Sequence, residues 1–221
     1  MVFSRKLTKK EMDILIKLQE FIRQAHADSS SHDFAHVLSV LRYAIQIGKD
    51  IKESEGSVDP FVVCAGALLH DIGKTNSVFS HIHGLFGGSL AEEFLDGLKI
   101  NPKLTEKICR VVVRHTPTSM IPPETNEEKI VFDADTMDRL GLMGLLRGFI
   151  GKEGSMGEIL NKYMDKRLDD YSKLHFDVSK RIGDAKNQEM EFFIELIQDR
   201  LNNRMKSIKD IFENECMPED E

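Results

Sequence analysis

The chain has 221 residues, 41% of them hydrophobic, which is enough for one sizeable core and argues for a single domain. Charged residues make up 30% and Gly and Pro number only 15 and 6, which excludes a disordered chain and a loop-rich disulfide scaffold. A formal net charge of −7 with no long Lys/Arg run excludes a nucleic-acid duplex as the expected partner and leaves room for a small phosphorylated ligand.

Taken in chain order, the apolar periodicity predicts helices throughout. The first spans 8–27, with a Thr8/Glu11 capping box and Ile14, Leu15, Leu18, Phe21 and Ile22 on one face. No signal-peptide core follows its basic start, and no apolar run of about 18 residues occurs anywhere, so a cytoplasmic location without membrane contact is expected. The second helix spans 32–54, with Val37, Leu38, Leu41 and Ile45 inward, and the third, 60–72, opens on Asp59-Pro60. Helices over 83–98 and 102–115 follow, the latter opening on Asn101-Pro102; its Val111-Val112-Val113 run reads as buried helix rather than strand. Helices over 126–139, 141–150, 155–173 and 180–214 complete the set, two of them starting on the Thr125/Glu128 and Ser155/Glu158 capping boxes. Gly151 to Gly157 forms a joint before a helical extension over about 155–214. The apolar residues of the last helix, Met190 to Leu201, can pack inward or against a second copy, so monomer and homodimer both stay open. Cys64, Cys109 and Cys216 are widely spaced without a CxxC, which points to neither disulfides nor a cysteine-zinc site.

Four residues stand out chemically: His36 inside a helix, the pair His70-Asp71 closing the apolar run VVCAGALL, and Asp135 in FDADTMDRLG. A carboxylate at the end of so apolar a helix needs a cation, a hydrogen-bonded partner or a metal. Consecutive helical residues point about 100° apart, yet both members of the pair can reach one point beyond the helix terminus. Singly, each residue reads as a core histidine or a helix cap.

Together, HDFAHVLSVLRYA with His36, ALLHDIGK with His70 and Asp71, and DADTMDRLG with Asp135 resemble the HD-domain superfamily of metal-dependent phosphohydrolases over about residues 30–150. The part beyond Gly151 is similar to bacterial single-domain HD hydrolases of the nucleotide-pyrophosphatase-like group. The resemblance implies an all-α HD bundle in which His36, His70, Asp71 and Asp135 bind a divalent ion. Mixed imidazole and carboxylate ligation suits Mn, Fe, Co, Ni or Mg. It further implies hydrolysis of a phosphate ester or phosphoanhydride of a small substrate, a nucleotide by preference, by attack of a water that the ion acidifies.

His83 and His115 follow the order in which two-metal HD phosphodiesterases place extra histidines, although Arg114-His115 stands where those proteins carry His-His. They are expected to hold a second ion or to contact substrate phosphate. Lys74 and Arg139 are the expected cationic groups for phosphate oxygens and, with Asp71, the candidate catalytic residues. The bland alternatives are a helix-terminal lysine and an arginine paired with Asp135 or Asp138. Lys74 occupies the place of a Glu found in some HD nucleotidases, which weighs against a monophosphatase and leaves proton transfer to Asp71, Asp138 or water. Two other readings compete. His32 to His36 spells HDxxH, close to a zinc-protease motif but with Asp for its Glu and no third ligand nearby. A non-catalytic HD-fold signalling module is the other, and no ligand loss supports it.

Overall fold

In the computed structural model, which describes residues 3–27, 33–51, 56–75, 82–116, 120–150 and 152–216, the Glu11 amide donates to Thr8 Oγ1 and the Thr8 amide to Glu11 Oε2. This reciprocal cap starts α1 (Lys9–Ala25), which buries Leu15, Leu18 and Ile22. Asp33 caps α2 (Phe34–Asp50) by accepting from the His36 amide, and Asp59 caps α3 (Pro60–Leu69) by accepting from the Phe61 amide. Every residue of α3 is buried, because α1, α2, α5 (Pro102–Arg114) and α6 (Asn126–Arg139) all pack on it. An all-round apolar sequence is what such a central position requires.

The third helix is shorter than the expected 60–72. It ends at Leu69 with His70 as its cap, and the chain tightens into a 3-10 turn over Ile72–Thr75. Gly73 in this turn lies against α4 (His83–Gly97) so closely that a Cβ there would sit 2.0 Å from the His83 carbonyl oxygen. Helix α4 packs on α5, and α6 on α2, so the ends of α3 and α5, the starts of α2 and α4 and the second half of α6 converge.

After α7 (Gly141–Phe149), the single helix expected over 155–173 is broken into α8 (Met156–Ile159), a π-helical turn (Leu160–Met164), α9 (Asp165–Leu168) and a 3-10 turn (Tyr171–Lys173). Leu160 and Leu174 are buried here, and the Asp170 carboxylate pairs with Arg139 and Lys173. The last helix, α10 (Asp177–Ile211), starts three residues earlier than expected, where Asp133 of α6 accepts the amides of His175 and Phe176. The fold is all-α; among the described residues the only β pairing is a bridge between Phe3 and Val58. No helix of the described residues is long and apolar enough to cross a membrane. His32, His81 and Gly151 lie outside the described residues, so the HDxxH reading has only its second histidine within them.

Candidate metal centre

The packing of α2, α3 and α6 brings the four expected ligands together. His36 Nε2 lies 3.2 Å from His70 Nε2, 3.5 Å from Asp71 Oδ2 and 3.5 Å from Asp135 Oδ1, and His70 Nε2 lies 3.6 Å from Asp71 Oδ2. All four side chains are buried. The other oxygen of Asp71 faces a second pair of imidazoles: His115 Nε2 is 3.3 Å and His83 Nε2 3.7 Å from Oδ1. Two groups of donor atoms, His36/His70/Asp71 and Asp71/His83/His115, each have their atoms within 4.8 Å of one another. Asp71 belongs to both.

Backbone contacts fix the ring tautomers. His70 donates Nδ1–H to the Ala67 carbonyl at 2.8 Å and His115 donates Nδ1–H to the Val112 carbonyl at 2.6 Å, each one turn back. Both Nε2 lone pairs therefore face Asp71. His115 Nε2 is fully buried and makes no hydrogen bond, an arrangement that an apolar core would not tolerate but a cation would satisfy. Imidazole nitrogens and carboxylate oxygens are the donor set of a divalent first-row ion, so the residues present fit one.

His36 is held from behind, its Nδ1 donating to Asp138 Oδ2 at 2.7 Å, while Ser39 Oγ donates to Asp138 Oδ1 at 2.5 Å and Arg147 contacts Asp138 and His36 together. Burial alone would lower the His36 pKa, but its hydrogen bonds with Asp138 and Asp71 outweigh it and raise the value to about 9. Burial without such a partner takes His70 the other way, down to about 3. Burial likewise works against the charged form of Asp135, yet Arg139 and then the two histidines hold that carboxyl far below its ordinary range.

Arg139 does not point a free fork at the cluster. Its Nη1 donates to Asp135 Oδ2 at 2.5 Å, Nη2 to Thr136 Oγ1 at 2.8 Å and Nε to Asp170 Oδ2 at 3.0 Å. Lys74 Nζ lies 3.4 Å from Asp71 Oδ2 with its side chain 23% exposed, at the solvent edge of the centre. Sequence reasoning gave no role to Ser39, Arg147 or Asp170. Arg147 had one signal, a lone cation in the apolar run GLMGLLRGF; Asp170 had none, since it meets Arg139 across 31 residues.

Residues 33–140 match the family model described as HD domain. Among solved structures, an HD-superfamily hydrolase from Bacillus thuringiensis is 23% identical with a TM-score of 0.64, covering 87% of this chain and 98% of that one. Bacillus subtilis YpgQ is 18% identical with a TM-score of 0.67 over 86% and 97%, and a structure of YpgQ in complex with ADP is 21% identical with a TM-score of 0.63 over 84% and 97%. At these identities the likeness is one of fold. A tRNA (cytidine(56)-2'-O)-methyltransferase of Picrophilus torridus is 30% identical over 171 residues, 67% of this chain, which spans only 42% of the methyltransferase. An uncharacterized protein of Methanocaldococcus jannaschii is 28% identical over 185 residues, 77% of this chain and 88% of that protein.

Proposed function

Residues 33–140 place this chain in the HD-domain family, and from that premise we propose that it is a divalent-metal-dependent phosphohydrolase acting on a phosphate ester or phosphoanhydride of a small substrate, a nucleotide by preference. The observation that carries this reading is Asp71, whose two oxygens each face two imidazole nitrogens. It favours the form of the reading with two adjacent cations, one held by His36, His70, Asp71 and Asp135, the other by Asp71, His83 and His115. Divalent ions bound there would supply Lewis acidity toward a phosphoryl group and acidify water. The protein's own contribution is positional. Ala67 and Val112 carbonyls fix the tautomers of His70 and His115, Asp138 aims His36, and Arg139 aims Asp135. Lys74, at the exposed edge beside Asp71, is the group placed to hold a phosphate oxygen and to offset negative charge gained in the transition state. The nucleotide preference is supported by the Bacillus subtilis relative, which has been captured with ADP.

The test is a substrate screen. Protein stripped by a chelator and reloaded singly with Mn, Fe, Co, Ni or Mg is assayed across phosphomonoesters, diesters and pyrophosphates, with bound metal counted by elemental analysis. Metal-stimulated phosphate release that is abolished in Asp71→Ala, at about two ions per wild-type chain, is expected from a shared carboxylate. Full activity in reloaded Asp71→Ala would overturn the assignment.

A further inference from the structure

A cavity of about 440 Å3, within the range that holds small ligands, is lined by Thr116, Ile121, Pro122, Phe132, Lys173 and His175 among others. Two of its walls come from the elements that carry the centre. Thr116 directly follows His115, and Phe132 precedes Asp135 by three residues on α6, so it lies on the same side of that helix one turn earlier. Arg114 donates from Nη1 to the Pro122 carbonyl at 2.6 Å, tying the proline wall to the end of α5.

His175 lines the same cavity, and its ring is fixed. Nδ1 donates to Asp133 Oδ1 at 2.8 Å, and the same buried carboxylate accepts the amides of His175 at 2.9 Å and Phe176 at 3.1 Å. Phe132 meets the imidazole edge to face, with centroids 5.0 Å apart and planes at 87°. With Nδ1 turned to Asp133, the Nε2 edge is the one left for a ligand, and 28% of the side chain is accessible. Lys173 adds a cation at the rim, 39% exposed and 3.2 Å from Asp170 Oδ1. Apolar and proline walls, a rigid heteroaromatic ring and rim donors together suit a flat ring that carries its own hydrogen-bonding edge. A larger cavity lined by Phe21, Leu90 and Phe94 has no cation among the described residues on its walls, and in the cleft containing Arg110 and Arg114 both guanidinia are tied to Glu124 and Glu128.

We propose that this cavity receives the base of a nucleotide whose phosphates reach the cation cluster, and that His175 determines specificity by contacting that base. The proposal rests on the phosphohydrolase reading of the metal centre. His175 is not a ligand of that centre, so its removal acts on recognition rather than on metal.

The experiment uses the full chain loaded with Mn. Binding of the four ribonucleoside diphosphates is measured by calorimetry, and their hydrolysis is compared with that of inorganic tripolyphosphate, which has no base. His175→Ala is the first variant; Ile121→Ser, also on the cavity wall, serves where His175→Ala disturbs the start of α10. His175→Ala is expected to weaken nucleotide binding about tenfold, the size of effect lost with one base–ring contact, and Ile121→Ser to weaken it in the same direction through lost apolar contact. The KM for nucleotides rises in parallel while kcat, metal content and tripolyphosphate hydrolysis stay unchanged. Unchanged nucleotide affinity in both variants, or wild-type protein that binds nucleotides no better than tripolyphosphate, would overturn the proposal. Base-independent hydrolysis would sink the cavity assignment and leave the phosphohydrolase reading standing. Nucleotide binding that both variants weaken, with no phosphate released from any substrate, would do the reverse.

Discussion

The Nδ1 of His36 and the Oδ2 of Asp138 lie 2.7 Å apart, joining α2 to α6 across 102 residues of chain. With a cation in the centre, the carboxylate keeps the remaining ring proton on Nδ1 and leaves Nε2 as the electron-pair donor facing Asp71 and Asp135. In Asp138→Asn the side-chain amide can present N–H to Nδ1, which moves the ring proton to Nε2 and turns a donor atom into a blocked one. Metal affinity is expected to fall by about 10- to 100-fold, read as the midpoint of a Mn titration of stripped protein. An unchanged midpoint would show that Asp138 does not orient this ligand.

Gly73 controls a different part of the centre. A Cβ there would meet the His83 carbonyl at 2.0 Å and the Gly87 amide nitrogen at 2.8 Å, both backbone atoms that cannot swing aside. Gly73→Ala is therefore expected to push the start of α4, and His83 with it, away from Asp71, at a stability cost of about 1–3 kcal/mol. Elemental analysis should count about one ion per chain in the variant, with His36, His70 and Asp135 still serving the other position. Retention of two ions would separate His83 from metal binding.

The helices were legible because their start signals are local. The Thr8/Glu11, Thr125/Glu128 and Ser155/Glu158 boxes and the Asp59-Pro60 and Asn101-Pro102 starts all stand in the structure where the sequence puts them. His70-Asp71 was conspicuous for a related reason: two polar residues closing a wholly apolar helix announce a site. What could not be read was decided by partners distant in the chain. The contact of Asp170 with Arg139 joins 155–173 to α6, and the early start of α10 coincides with Asp133 reaching His175, neither of which leaves a periodic trace. Arg139 itself shows the limit, since its spacing from Asp135 fits a phosphate fork and a ligand brace equally well.

Acid should act on the N-terminal brace. The two Arg5 nitrogens donate to Glu11 at 2.8 and 2.5 Å, and chiefly through these bonds, against burial and with help from Thr8, the Glu11 pKa drops from 4.5 to about 2. A depressed carboxylate means that the unfolded chain binds its proton first. The stabilisation is thus fully present above pH 4.5 and is lost as pH falls through about 2. The melting-temperature gap between wild type and Glu11→Gln should be widest above pH 4.5 and close progressively below it. A gap independent of pH would mean that Glu11 acts only as a neutral cap.

Helix α4 ends on a lysine in a glycine position. Lys99 has φ of +56°, its amide bonds to the Asp96 carbonyl at 2.9 Å, and the Ile100 amide bonds to the Leu95 carbonyl at 3.3 Å, the paired bonds of a left-handed helix stop. A side chain in that conformation costs about 1–2 kcal/mol, part of which glycine returns as backbone entropy. Lys99→Gly is expected to raise stability by about 0.5–1 kcal/mol in urea unfolding. A destabilised variant would indicate that the Lys99 side chain makes a compensating contact.

Arg139 and Lys74 should part company when removed. Arg139 bridges two carboxylates, Asp135 and Asp170, that are otherwise buried. Asp170 keeps Lys173 and Arg167, but Asp135 loses its cation, and truncating one partner of a buried pair costs about 3–5 kcal/mol. Arg139→Ala should therefore lose both thermal stability and bound metal, because Asp135 is freed to turn from His36. Lys74 is partly exposed and sits at the edge, so Lys74→Ala should keep its fold and its ions and show a raised KM, with a fall in kcat where the ammonium also meets transition-state charge. Stability, metal content and the KM-against-kcat split of the two variants, measured side by side, decide the matter. A stable, metal-replete Arg139→Ala with a raised KM would move that arginine from bracing Asp135 to holding substrate phosphate.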